Sequence, residues 1–258
     1  MFIMKNKIFV SILILILIIS CAMNIALYHY SISSYRQYKI SQIDPTNSLH
    51  YAAFQALINQ KKIRSFRIVF FGDSRISRWG PLPVIQDCDL INRGVSGETT
   101  AQSLLRIERD VISLKPDIVV IEAGVNDCNA IGVLPEMSDY IISNCKNNFK
   151  RIIDILHHNN IKTVVLTIFP IATVYPHRWP IWSEKTRDAI VGINTFLQHL
   201  NSSDVNVVNC DTIFLNNRKM KNDYADDMLH LNTYGYATLN NLIKPYLVKL
   251  VKDSKNKD

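Results

Sequence analysis

The sequence predicts a three-layer α/β/α domain on a mostly parallel sheet of about five strands, preceded by an N-terminal transmembrane helix. Three observations carry this. Short runs rich in β-branched and aromatic residues recur without polar alternation, the pattern of strands covered on both faces. Longer segments with helical spacing lie between them, and that alternation marks βαβ units. Ahead of all of them stands Ile8 to Leu27, twenty residues without a charge.

A helix of that length rises about 30 Å, the thickness of a bilayer's hydrocarbon core. The run is apolar all round and follows a short basic tail, Lys5 and Lys7, so it reads as a membrane span and not as a buried core helix. Residues 1–30 are assigned to this anchor or signal segment. A retained anchor is favoured over two other fates, simple cleavage and a lipoprotein signal. Ile18-Ile19-Ser20-Cys21 fits a loose bacterial lipobox in which Cys21 would be acylated, whereas no small-x-small site closes the run. Lys5 and Lys7 are nearly matched by Arg36 and Lys39 beyond it, so charge alone hardly orients the span. A short tail before a long downstream region reads as export, which places that region outside the cytoplasmic membrane.

Residues 31–64 follow as a stalk and a packing helix. The stalk, 31–45, is polar and mixed. Thr46 or Asn47 caps a predicted helix to about Lys62, with Leu49, Ala53, Phe54, Leu57 and Ile58 on one stripe. The domain itself is expected over 65–250. Its predicted strands are 67–71, 89–92, 118–122, 162–168 and 205–208; its predicted helices are 101–114, 138–158, 184–200 and 233–252. A frayed charged tail, 251–258, is expected to end the chain. In an open parallel sheet the ligand site lies beyond the strand C-termini.

The formal net charge of +7 is unevenly placed. Residues 1–64 hold seven Lys and Arg against the single acid Asp44, and the remaining residues hold 22 basic against 21 acidic. A nearly neutral domain has no footprint for a phosphate backbone, so no nucleic acid partner is expected. The basic excess sits beside the apolar run, where anionic headgroups attract it. Four cysteines besides Cys21 (Cys88, Cys128, Cys145, Cys210) allow three disulfide pairings, and a domain of this size needs none of them. Cys128 reads as a small packed residue. No CxxC or His/Cys cluster has metal-ligand spacing.

Four blocks carry chemistry. Gly72-Asp73-Ser74 closes the first apolar run. Gly94-Val-Ser-Gly97-Glu-Thr-Thr and Gly124-Val-Asn126-Asp127 follow, and Asp227-Met-Leu-His230 stands near the end, trailed by Leu231-Asn232-Thr233-Tyr234-Gly235-Tyr236. A serine hydroxyl becomes a nucleophile when an imidazole takes its proton, and a carboxylate fixes that imidazole's tautomer. Gly-Asp-Ser alone is a common turn tripeptide. The four blocks in this order, over roughly residues 66 to 245, resemble the SGNH subgroup of the GDSL hydrolases.

The resemblance implies a flavodoxin-like fold, a catalytic triad of Ser74, Asp227 and His230, and an oxyanion hole made by the backbone N–H groups of Ser74 and Gly97 and the side-chain amide of Asn126. It implies no cofactor and no metal. Asp226 competes with Asp227 for the orienting role, and the Asp-x-x-His spacing favours Asp227. Gly94 is expected as a turn residue, and Asp73 and Asp127 as loop holders. Arg75, Arg78 and Trp79 are expected on solvated surface or along a substrate cleft. The aromatic and proline-rich segment Tyr175 to Trp182 is expected as a wall of the site or a rigid surface loop.

The function expected from this set is a membrane-tethered serine esterase acting on O-acetyl or short acyl groups of envelope glycans or lipids, through an acyl-enzyme. Two alternatives stand beside it: an O-acyltransferase using the same acyl-enzyme, and a non-catalytic glycan- or protein-binding module that retains the fold. The partners expected are the ester substrate and a membrane through residues 8–27. The oligomeric state is not legible.

Overall fold

A computed structural model describes residues 2–45 and 66–255. The chain divides into an N-terminal and a C-terminal unit. The expected helix from Thr46 or Asn47 to Lys62, and the boundary between residues 64 and 65, lie outside the described residues.

The N-terminal unit is one helix, α1 (Phe2–Ile43). The apolar side chains from Ile8 to Leu27 are exposed along it, with no protein core to cover them. By length and composition α1 is able to cross a membrane or to serve as a signal sequence. The helix continues through the polar stretch from residue 31 to Ile43, so the stalk is helical to that point.

The C-terminal unit is built on β1 (Phe66–Gly72), β2 (Cys88–Gly94), β3 (Ile118–Glu122), β4 (Lys162–Leu166) and β5 (Val205–Val208). All pair in parallel, in the order β2-β1-β3-β4-β5. Around the sheet lie α2 (Ser74–Ser77), α3 (Thr100–Asp110), α4 (Val125–Ala130), α5 (Ser138–His158), α6 (Lys185–Gln198), α7 (Asp211–Phe214) and α8 (Thr233–Lys255), with a small hairpin of β6 (Leu215–Asn216) and β7 (Lys219–Met220).

Every residue of β1 and β3 is buried, because alternate side chains serve different layers. Val69, Phe71, Val119, Ile121 and Val165 meet Ile107 of α3, Phe149 of α5 and Ile193 of α6. Ile68, Phe70, Val120, Val164 and Leu166 meet Leu239, Ile243 and Leu247 of α8. Each such side chain contributes about 1.5–3 kcal/mol of transfer free energy. This is the three-layer α/β/α architecture that the unalternating runs imply.

Three boundaries differ from the sequence pattern. The fourth strand stops at Leu166, because Asn194 of α6 receives the N–H of Ile168 at 2.8 Å and donates to its carbonyl at 2.9 Å, turning the chain out of the sheet. The helix expected over 101–114 breaks after Asp110 into a 3-10 turn, Ile112–Leu114. The last helix runs to Lys255 and does not fray at Val251, which is buried with Leu250 against the sheet layer. Short elements such as α4, α7 and the hairpin hold too few residues to show a period.

The strand order reverses between β1 and β3. Gly72 and Glu122 are register partners at that point, so the chain leaving β1 toward Ser74 and the chain leaving β3 toward Asn126 emerge side by side. The approach depends on a missing side chain: a Cβ on Gly72 would stand 1.7 Å from the carbonyl oxygen of Glu122. Gly72→Ala should therefore lower the melting temperature sharply or abolish soluble expression, a loss above about 3 kcal/mol. Gly192→Ala, at an open position of α6, should raise stability by up to about 1 kcal/mol. Equal melting temperatures for Gly72→Ala and wild type would refute the close approach.

Candidate active site

Ser74 opens α2 immediately after β1. Its turn is set by Asp73, whose Oδ1 accepts the N–H of Arg75 at 2.9 Å and so caps the helix. Burial, with Glu122 nearby, pushes the Asp73 carboxyl well above the usual range. Gly94, expected in a turn, instead ends β2. A Cβ there would come within 2.1 Å of the Ser77 nitrogen, so its smallness lets α2 lie against the strand end.

The histidine arrives from the other end of the chain. Ser74 Oγ lies 2.8 Å from His230 Nε2, and His230 Nδ1 lies 2.7 Å from Asp227 Oδ2 and 2.9 Å from Oδ1. Asp227 Oδ1 also accepts the N–H groups of Leu229 (2.7 Å) and His230 (2.9 Å), folding Asp227–His230 into a tight turn. Asp226 points elsewhere, with Oδ2 lying 3.7 Å from Arg78 Nη1. The block after the histidine holds this loop to α8: Asn232 Oδ1 accepts the N–H of Gly235 at 2.9 Å, and its Nδ2 donates to the carbonyl of Asp223 at 2.8 Å.

Burial lowers the His230 pKa, opposed by Asp227 and aided by Arg78 and Arg75, so the imidazole is neutral at neutral pH. Burial raises the Asp227 pKa, but the N–H of Leu229 and the imidazole outweigh it and hold the carboxyl below the usual range. A neutral base beside an ionised orienter is the state proton abstraction requires.

Gly97 is the third residue of the turn Val95–Glu98, at φ +81°, which a side chain rarely tolerates. Among the described residues, neither its N–H nor that of Ser74 donates to another protein group. Asn126, on the first turn of α4, uses one amide hydrogen on the carbonyl of Glu98 at 2.8 Å and keeps the other. Asp127 receives the backbone N–H of Thr100 at 2.8 Å and its hydroxyl at 2.6 Å, holding the start of α3 to α4 as a loop holder should.

Two side chains do much of the positioning: Arg106, which the sequence reading did not single out, and Arg75, which it expected on the surface or along a cleft. Arg106 of α3 is buried and donates to Glu98 Oε2 (2.6 Å), to Asp110 Oδ2 (2.9 Å) and to the carbonyl of Gly72 (2.9 Å). Arg75 is neither surface nor cleft: it is fully buried, donating to Glu122 Oε1 at 3.1 Å and to the carbonyl of Leu229 at 2.9 Å. Trp79 is likewise in the core, edge-on to Phe70, with its indole N–H on Asn240 Oδ1 at 2.8 Å. Of the three residues expected after the serine, Arg78 alone is at the surface, half exposed. Its Nη1 lies 3.5 Å from Asp227 Oδ2.

Cys88, Cys128, Cys145 and Cys210 are buried; burial pushes the Cys128 thiol far up, so it is packing and not a nucleophile. Among the described residues no His, Cys, Asp and Glu group is arranged to hold a metal ion.

A sequence model of the GDSL-like lipase/acylhydrolase family matches residues 70–238. No curated protein matches the chain significantly. Among solved structures, a GDSL-like lipase from Bacteroides thetaiotaomicron is 26% identical, with a TM-score of 0.60 over 79% of this chain and 98% of that one. A Bacteroides fragilis protein described as an acylhydrolase is 23% identical, with a TM-score of 0.64 over 79% and 97%. An acetyl xylan esterase is 22% identical, with a TM-score of 0.57 over 70% and 99%.

In an NMR titration the imidazole of His230 should have its midpoint below 6.5. Asp227→Asn removes the partner that favours the charged ring, so the midpoint should fall further. A midpoint above 6.5 in the wild type would mean that burial and the two arginines do not outweigh the carboxylate.

Proposed function

The chain belongs to the GDSL-like lipase/acylhydrolase family and is an ester hydrolase, and from that premise we propose that it is a membrane-tethered serine esterase with Ser74 as its nucleophile. The observation that carries the assignment is the unbroken line Ser74 Oγ–His230–Asp227, at 2.8 and 2.7 Å. As Ser74 Oγ bonds to the ester carbonyl carbon, His230 Nε2 takes its proton and Asp227 stabilises the imidazolium. The negative carbonyl oxygen falls to the N–H groups of Ser74 and Gly97 and the free amide hydrogen of Asn126, each such donor being worth roughly 3–4 kcal/mol of barrier. Collapse breaks the ester C–O bond, and the His230 proton goes to the leaving alcohol. Water, deprotonated by His230, then adds to the acyl carbon; the bond to Ser74 Oγ breaks, the acid leaves, and His230 returns the proton to Ser74 Oγ.

The proposed substrates are O-acetyl or short acyl esters on envelope glycans or lipids. The acetyl xylan esterase shares the fold, and an anchor formed by Ile8 to Leu27 puts such esters within reach. We place the catalytic domain on the extracytoplasmic side, because a long domain following an apolar span reads as exported; Lys5 and Lys7 are nearly matched by Arg36 and Lys39, so charge does not set this orientation.

Full-length enzyme in mild detergent should hydrolyse p-nitrophenyl acetate or butyrate, and Ser74→Ala should cut kcat by roughly three orders of magnitude or more. Turnover that survives this substitution would sink the nucleophile assignment. Asp227→Asn should lower kcat by roughly two to four orders, while Asp226→Asn, whose carboxylate faces Arg78, should stay within about threefold. The reverse order would move the orienter to Asp226.

The tether has its own test. The full chain should resist alkaline carbonate extraction, and external protease should digest the catalytic domain of intact spheroplasts; protection would place the site in the cytoplasm. Cys21→Ala should leave size and membrane retention unchanged, whereas accumulation of an unprocessed precursor would show a lipoprotein.

A further inference from the structure

Asp73, Arg75 and Glu122 come together beside Ser74, and all three are wholly buried. Gly72 and Glu122 are register partners, so Asp73 leaves β1 next to Glu122, and its N–H donates to the Glu122 carbonyl at 3.3 Å. Two buried carboxyls thus share one guanidinium. That guanidinium is committed to Glu122, with Nη1 donating to Oε1 at 3.1 Å. Asp73 receives from Arg75 only the backbone N–H, at Oδ1 and 2.9 Å. Its Oδ2 is buried and meets no hydrogen-bond partner among the described residues.

The remaining neighbours bring Asp73 no second cation. Glu122 of β3 and Asp127 of α4 both add negative charge. Tyr236 of α8 spends its hydroxyl on the carbonyl of Arg75, and burial pushes its pKa up, so it stays neutral. Arg106 of α3 reaches the carbonyl of Gly72, but its charge is taken by Glu98 and Asp110. A carboxylate held in an apolar interior without a cation of its own takes up a proton instead of staying charged. Burial favours the protonated form of both acids; Glu122 has the guanidinium against it and Asp73 does not, so the proton belongs to Asp73. A neutral carboxyl still accepts the Arg75 N–H through one oxygen and offers a donor at the other.

The consequence falls on Ser74, whose N–H is one of the proposed oxyanion donors. It stands in the chain between Asp73 and the Arg75 N–H that Asp73 holds. A fixed negative charge one residue away would oppose the charge that forms on the substrate's carbonyl oxygen.

We propose that Asp73 is a positioning residue that works as a neutral carboxylic acid, fixing the start of α2 and the N–H of Ser74 without placing a negative charge beside the oxyanion. Its catalytic part rests on the esterase reading, whereas the protonation does not. Stability carries the same signature. A carboxyl raised on folding contributes stability that is fully present below its unfolded range and is lost as pH rises through the folded value.

The test compares full-length wild type in mild detergent with Asp73→Asn and Asp73→Ala. Asparagine reproduces the neutral acid, an acceptor at one atom and a donor at the other, and alanine removes the cap. With isotope-labelled aspartate, infrared spectra of the wild type at neutral pH should show a protonated carboxyl band that Asp73→Asn lacks. On p-nitrophenyl acetate, Asp73→Asn should keep kcat within about tenfold of wild type, whereas Asp73→Ala should lose more than that or fail to fold. The melting temperature should fall less with rising pH in Asp73→Asn than in wild type. Overturning the proposal takes either of two results. One is the absence of that band from the wild type, with a kcat loss of about a hundredfold or more in Asp73→Asn, since an ionised carboxylate would then be what holds the turn. The other is the band present but the same loss in Asp73→Asn, which removes the positioning role. If the wild type turns over no ester, the esterase reading fails, and the band and the pH dependence of melting still decide whether Asp73 is neutral.

Discussion

The guanidinium of Arg75 is the constraint on which the site depends. It follows Ser74 in sequence, yet points inward, away from the reacting groups. Its Nε holds the carbonyl of Leu229, the residue before His230, while its Nη1 is anchored on Glu122 at the end of β3. Its own carbonyl accepts the hydroxyl of Tyr236 at 2.8 Å, and the ring of Phe169 packs 5.0 Å from it. One buried side chain thus ties the helix of Ser74, the central sheet and the histidine loop, although Ser74 and His230 are 156 residues apart. The buried Glu122 carboxylate sets the price of disturbing this tie. Removing one partner of a buried ion pair costs about 3–5 kcal/mol, because the other charge is left without compensation.

Arg106 performs a corresponding task for the end of β1 and the turn that holds Gly97. It joins the carbonyl of Gly72, one residue before the capping Asp73, to Glu98, the residue that closes the turn holding Gly97. Asn126 completes the frame by donating to the main chain of the same Glu98. The ring of Phe71 lies 4.3 Å from the Arg106 guanidinium, so the charge is packed on one face and hydrogen-bonded at its edge. The N–H of Gly97, one of the proposed oxyanion donors, therefore sits on a turn braced from two directions. Preorganised dipoles are effective because they need no reorganisation as charge forms.

The division between what was legible in the sequence and what was not follows from these arginines. The sheet was legible because a strand buried on both faces leaves an unalternating run such as Ile118 to Glu122, and α5 was legible to its ends, Ser138 and His158, because its apolar stripe is long. The residues of the four blocks were legible because the chemistry demands their types and because their order resembles that of the GDSL hydrolases. Arg75, Arg106 and Trp79 were not, since arginine near an active serine has the same letter whether it faces substrate or core. The carboxylate partner of Arg75 lies 47 positions away, and although Arg106 has Glu98 and Asp110 close in sequence, its tie to the carbonyl of Gly72 spans 34 positions. The end of β4 was misplaced for the same reason, because the clamp that turns Ile168 out of the sheet is an asparagine 26 positions later. Local pattern sets elements, and long-range polar contacts set where they stop.

The paired acids Asp226 and Asp227 acquire a physical reading from the same geometry. A carboxylate against His230 favours the imidazolium, and left unopposed it would occupy the lone pair that must take the serine proton. Burial opposes it, and Arg78 and Arg75 add positive charge nearby. Arg78 is shared, with Nη1 3.5 Å from Asp227 and 3.7 Å from Asp226. At half exposure such a pair is worth at most about 1 kcal/mol, too little to organise the loop, while the same positive charge helps to lower the His230 pKa. Asp227 acts on the ring by direct contact and Asp226 only through Arg78. Adjacent in sequence and identical in chemistry, the two aspartates differ in role because the tight turn at Leu229 and His230 delivers one carboxylate to the imidazole and leaves the other facing the guanidinium.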